Sequence, residues 1–332
     1  MGCSSSSCGA GGKDRSEFSR RTACRCLMLG RHPHIERRKS LRKRQPFLEC
    51  SSKLAGVDAA FDRVSHTRIF TPDAGMIDRI LEVAASWGRP DLASKALALL
   101  SNIDAPVQEK HLVALLESYV TAGQVPEALR VVASIRSTGL HPTLAAVESI
   151  VGVLSTPEIV DQAFYGLEDM HKAGEVVDVV ALNALILASA RIKDLRRVRA
   201  TQASLSSFGL RPDIDTFNSV LEGCINAEHS TLGETVLSEM SNAGVTPDRI
   251  TYEKLIKLCL IPADYEQAFF YLEKMKSEEL RPSAAAYRSI LVKCLVSNDR
   301  RWELVRQEMN VLGYRMDAAT KRMIDERSRY KQ

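Results

Sequence analysis

The sequence predicts an all-α solenoid of about seven stacked helix-turn-helix units. Three observations carry that expectation: a 35-residue period, apolar columns at helical spacing inside it, and a recurrent glycine-then-proline turn between periods. Residues 179–213, 214–248 and 249–283 align without gaps. The same register runs back through 144–178, 109–143 and 74–108, and forward to 284–317, which is one residue shorter.

Within the period, the fourth position is Ile77, Leu112, Val147, Leu182, Phe217, Tyr252 and Tyr287. The seventh (Ile80 to Ile290) and the eighth (Leu81 to Leu291) are aliphatic throughout, and the three positions share one helical face. In the second helix, Ala93, Ala128, Ala163 and Ala268 hold the twentieth position, where a small residue lets two helices approach. Leu100, Ile135, Met170, Leu205, Met240 and Met275 complete its apolar face. Gly139, Gly174, Gly209 and Gly244 suit a left-handed helix C-cap, and Pro142, Pro212, Pro247 and Pro282 stop the old helix before the next begins. One hairpin cannot bury its own apolar face, so neighbours must stack.

The flanks read differently. Residues 1–53 form a basic, Ser/Arg-rich leader with 13 Lys+Arg against 4 Asp+Glu, and residues 54–332 hold 32 against 37. The net charge of +4 therefore belongs to the leader, and a uniformly basic nucleic-acid surface on the acidic body is excluded. The leader's composition is that of an organellar transit peptide, mostly disordered; a basic tail retained on the protein is the alternative. A third reading is acylation: MGCSSS fits a myristoylation pattern, with Gly2 as acceptor and Cys3 beside it for palmitoylation. Residues 54–73 are expected to form a capping helix, because Leu54, Val57, Phe61 and Val64 share a face. Residues 318–332 read as a charged C-terminal helix or tail. No apolar run is long enough to span a bilayer, so no membrane partner is expected.

Cys24 and Cys26, with His32 and His34, have a spacing unlike a zinc finger. Cys224, Cys259 and Cys294 recur every 35 residues at one helical position, too far apart for a disulfide, and suit a reducing compartment. The seven histidines are scattered and no Gly-rich phosphate loop is present, so the chain reads as a non-enzyme without cofactor, metal or small-molecule substrate.

A 35-residue helical hairpin that ends in Pro-Asp and opens with Thr-Phe-Asn or a variant resembles the pentatricopeptide repeat, and the resemblance covers 74–317. The tetratricopeptide repeat, with its period of about 34 and its Trp-Gly-Tyr pattern, fits less well. The resemblance implies a right-handed superhelix that binds single-stranded RNA at about one base per repeat. It also implies that the fifth residue of a repeat reads the base edge, supported by the last residue, while the second packs on the base face. Carried over, Asn183 with Asp213 and Asn218 with Asp248 resemble a uracil-preferring pair, and Val180 and Ile250 stand at stacking positions. Asp215 is a poor platform, and Asp78, Val113, Glu148, Glu253 and Arg288 form no decodable pair. Arg191 occupies the family's phosphate-contacting place, and with Lys193, Arg196, Arg197 and Arg199 makes a basic cluster fit for phosphate contact. The alternatives are that the Asn and Asp residues cap helices and that the cluster is a solvated face. No zinc deaminase signature of the kind some plant relatives carry is present.

The function so implied is an organellar RNA-binding factor, mitochondrial or else chloroplast, acting in RNA processing, stability or translation. The alternative is a protein-interaction scaffold, for example a subunit associated with an organellar ribosome, which the acidic body favours.

Overall fold

The computed structural model describes residues 73–103 and 105–329. The readings of the leader, of Gly2 and Cys3, of the helix over 54–73 up to residue 72 and of the last three residues lie outside them. Fifteen α-helices and no strands are found among the described residues. They form seven hairpins, α1 (Ala74–Trp87) with α2 (Pro90–Asn102), α3 (Glu109–Thr121) with α4 (Val125–Ser137), α5 (Glu148–Val153) with α6 (Pro157–Lys172), and α7 (Val179–Arg191) with α8 (Leu195–Ser204). Then follow α9 (Ile214–Asn226) with α10 (Gly233–Asn242), α11 (Arg249–Cys259) with α12 (Tyr265–Ser277), α13 (Ala284–Val296) with α14 (Trp302–Val311), and the closing α15 (Ala318–Arg329). The all-α solenoid is the observed fold.

The residue that ends one repeat starts the next. Asp73, Asp178, Asp213, Asp248 and Ser283 are N-caps whose side chains accept a backbone N–H of the following helix's first turn. Each first helix then packs on the first helix of the next hairpin, while the second helices meet chiefly their own partners, except α6, which lies mainly against α7 and α4. The first helices thus make one continuous layer. The fourth-position column lies at its heart: Ile77, Val147, Leu182, Phe217, Tyr252 and Tyr287 are all buried.

The turn inside every hairpin but the third uses a left-handed residue at the fifteenth position. Gly88 and Gly123 hold it in the first two repeats, but Lys193, Glu228, Ala263 and Asn298 hold it later. An L-residue there costs about 1–2 kcal/mol of backbone strain, offset by the next N–H donating back across the turn (Asp194 to Ser189, 3.0 Å; Asp264 to Cys259, 2.9 Å). Gly88 has a second constraint, because a Cβ there would sit 2.9 Å from the Ala122 nitrogen.

The third hairpin departs from the common register. Pro157 stands at its fourteenth position, capped by Thr156, and so starts α6 three residues early. Before it, α5 starts late at Glu148 and ends at Val153, only 6 residues long, and is entered through tight i to i+3 turns at Ala146 and Glu148.

Candidate functional site

The stacking of first helices brings the fifth residue of one repeat onto the N-cap of the next. Asp213 caps α9, with its Oδ1 accepting the Thr216 N–H (2.8 Å), while the Thr216 hydroxyl accepts the Asp213 N–H (3.1 Å). Asn183, in the second turn of α7, reaches this cap from the previous repeat. Its Nδ2 donates to Asp213 Oδ1 (2.9 Å) and its Oδ1 accepts from the Thr216 hydroxyl (2.6 Å). The constellation recurs one repeat on, where Asn218 Nδ2 donates to Asp248 Oδ1 (3.4 Å) and Thr251 donates to Asn218 Oδ1 (2.9 Å). Each Asn amide keeps one further N–H and one further lone pair, the donor and acceptor a base edge needs. Asn183 is 0% exposed and Asn218 7% exposed, so both amides lie covered in this arrangement, and a base reaches them only where the neighbouring side chains part.

Capping and cross-repeat bonding therefore engage the same four residues proposed as readers: Asp213 and Asp248 do cap. The sequence reading missed the two threonines, although the signal was present. Among the third residues of the repeats, threonine occurs only at 216 and 251, each following a repeat with Asn at its fifth position. His111 plays a similar part in the first pair of repeats. Its Nε2 lies 2.9 Å from Asp78 Oδ1 and its Nδ1 accepts the Gln108 N–H at 3.0 Å.

Other fifth residues are tied by charge or hydrogen bonding. Asp78 pairs with Lys110 at 2.6 Å, and this contact chiefly holds its carboxyl below the ordinary range. Glu148 pairs with Arg191 at 2.8 Å, Glu253 accepts the Ser283 N–H at 3.0 Å, and Arg288 lies 3.5 Å from Asp317.

The two stacking positions differ. Val180 is 4% exposed, so it is packed inside the layer, whereas Ile250 is 47% exposed. Between them Asp215 is half-buried. Burial pushes its carboxyl up, and the neighbouring Asp213 and Asp248 push it further. A carboxyl raised in the folded state opposes folding at neutral pH, and the penalty disappears as protonation removes the charge in acid. Asp215→Asn is therefore expected to raise the thermal midpoint at pH 7, with the gain shrinking toward pH 3; an equal gain at both pH values would assign it to packing.

The basic cluster is divided. Arg196, Arg197 and Arg199 lie on α8, a second helix, which begins at the far end of α7 from Asn183. The eight residues from 183 to 191 span about 12 Å of helix. Arg197 forms two 2.8 Å hydrogen bonds to Asp161 and pairs with Asp194. Arg199 grips Glu239, with one contact at 2.9 Å. Arg191 is taken by Glu148. Lys193 and Arg196 are exposed, and no ion pair is formed by either among the described residues. The three paired arginines bridge repeats rather than present free charge.

Cys224, Cys259 and Cys294 are free thiols, pushed by burial to about 11, 12 and 11, which keeps them protonated and unreactive. Among the described residues no group of acids, histidines and cysteines could hold a metal, and no helix is long and apolar enough to cross a membrane.

Comparison with known proteins bears on the repeat itself. Residues 74–204 match a family model described as pentatricopeptide repeat-containing protein, and residues 235–295 match the pentatricopeptide repeat domain. No curated protein matches in sequence. Among solved structures, the pentatricopeptide repeat protein PPR10 in complex with an 18-nt psaJ RNA element is 18% identical, with TM-score 0.49 over 82% of this chain and 40% of that one. PPR10 from maize is 22% identical, with TM-score 0.48 over 94% and 47%. The PPR domain of Arabidopsis thaliana protein-only RNase P 1, in complex with tRNA, is 16% identical, with TM-score 0.45 over 55% and 96%. The matched region thus spans less than half the length of the PPR10 chains.

Proposed function

We propose, for a chain that belongs to the pentatricopeptide repeat family, that it binds single-stranded RNA along the layer of first helices. One observation carries this reading: two consecutive repeats build the same Asn–Asp–Thr constellation, and each leaves an amide donor and acceptor uncommitted. A single strand offers unstacked bases whose edges such amides can bond. With only two such positions, sequence is read at two neighbouring bases, preferentially uracils. The remaining repeats, whose fifth residues are mostly paired, supply shape. The chain acts as a binding factor and not as an enzyme, in RNA processing, stability or translation, and the basic leader directs it to mitochondria or, in a photosynthetic cell, to chloroplasts.

The second reading, a protein-interaction scaffold within an organellar ribosome or other assembly, is favoured by the pairing of Arg191, Arg197 and Arg199 with carboxylates. That pairing removes cations a phosphate backbone would use. One experiment separates the readings: the tagged protein is expressed in cells, fractionated, and its ultraviolet-crosslinked RNA sequenced. RNA footprints enriched in adjacent uracils in the organellar fraction are expected. Protein partners without crosslinked RNA would support the scaffold. Retention at the plasma membrane, released by Gly2→Ala, would replace organellar import with acylation.

A further inference from the structure

We propose that Thr216 and Thr251 are positioning residues that fix the order in which Asn183 and Asn218 present donor and acceptor to a base. The inference rests on the RNA-binding reading above. An Asn amide is nearly symmetric in shape, and a half-turn about its last torsion exchanges N–H and carbonyl. Left alone, it would serve two bases with opposite edges. Uracil offers a ring N–H beside a carbonyl, and cytosine offers a ring acceptor beside an amine. An amide that can turn over accommodates both.

The constellation opposes that turnover from two sides. A carboxylate only accepts, so Asp213 Oδ1, 2.9 Å away, must face Nδ2 of Asn183. The Thr216 hydroxyl already accepts the Asp213 N–H; for its one hydrogen Asn183 Oδ1, 2.6 Å away, is the nearer acceptor, with Asp213 Oδ1 at 2.9 Å the other. Turning the amide over would set carbonyl against carboxylate, lose the bond to Asp213 and force the Thr216 hydrogen off its nearer acceptor. The two sites are not equal. Around Asn218 the carboxylate contact lengthens to 3.4 Å, while Thr251 stays at 2.9 Å. The Thr251 hydroxyl, although it also stands 2.9 Å from Asp248 Oδ1, is thus the closer of the two partners of the Asn218 amide. The sequence has the same logic: threonine stands at the third position only after a repeat with Asn at its fifth, and alanine or histidine follows Val113, Glu148, Glu253 or Asp78.

The test uses the purified full chain and four oligoadenylates carrying UU, UC, CU or CC at the centre. The wild-type chain is expected to prefer UU. Thr251→Val keeps the side chain's shape but loses its hydroxyl. It is expected to reduce uracil-over-cytosine preference about threefold to tenfold at one of the two bases, the range one net hydrogen bond supports, leaving the neighbouring base discriminated. Thr216→Val is expected to do less at the other base, and Thr251→Ser to retain the wild-type ratio. The hydroxyl also serves the helix cap, and any affinity that Thr251→Val loses through folding is lost by all four oligonucleotides alike. Unchanged ratios in Thr251→Val, or a wild-type chain that binds without distinguishing uracil from cytosine, would overturn the positioning role and leave RNA binding standing. Failure of the wild-type chain to bind any of the four would overturn the RNA reading, and this inference with it.

Discussion

Phe217→Ala is expected to destabilise the solenoid by about 3–5 kcal/mol, the range for truncating a buried aromatic ring. Phe217 is 1% exposed at the fourth position of α9, and α9 packs on α7 before it and α11 after it. In a stacked-repeat protein each hairpin contacts only its neighbours, so stability is a sum of local and interface terms. A cavity in α9 weakens both of its interfaces at once. Urea unfolding followed by far-ultraviolet circular dichroism should show a lower midpoint and a broader transition, as the repeats on either side lose coupling. Phe270 supplies the control: it is 54% exposed on a second helix, and its replacement by Ala should stay within about 0.5 kcal/mol. A cost below about 1 kcal/mol for Phe217→Ala would mean that the fourth-position column is not the core of the layer.

The period, the apolar columns and the caps were legible because they are local and repeated seven times, so a chance residue in one unit is outvoted by the others. Phe217 and Leu182 could be placed in the core from spacing alone. What stayed illegible lies between repeats. Arg197 reads as a free cation among basic neighbours on its own helix, but its partner Asp161 is 36 residues away. In a 35-residue solenoid that separation is adjacency. The same holds for Arg199 with Glu239, 40 residues apart. Burial was equally hidden: Val180 and Ile250 occupy one position of the repeat, yet only Ile250 is open to solvent. The early start of α6 was written in Pro157, but six consecutive 35-residue segments conceal a turn that moves without changing the repeat's length. Thr216 and Thr251 were overlooked because a hydroxyl at a helix start reads as a capping partner, and the second bond each makes crosses to another repeat.

Replacing Asn183 and Asn218 together by Ala is expected to abolish base discrimination at two neighbouring positions. A base-edge contact is worth about 1–3 kcal/mol of discrimination, or about fivefold to 150-fold per base. The two sites share the element α9, so their effects need not add. The same substitutions disturb the fold, since each amide joins two repeats. Without Asn183, Asp213 and Thr216 each lose a partner in a buried place, at about 1–3 kcal/mol. The two effects are separable because they act on different quantities. Loss of folding lowers binding to every RNA in proportion, whereas loss of reading makes the best and worst sequences converge. Binding should therefore be measured on uracil-bearing and uracil-free oligonucleotides at a temperature where the variant keeps its helical spectrum. Convergence upon the weaker affinity identifies the Asn residues as readers. If the variant is fully helical and binds each sequence as the wild type does, both amides are staples between repeats and nothing more, and the scaffold reading takes precedence.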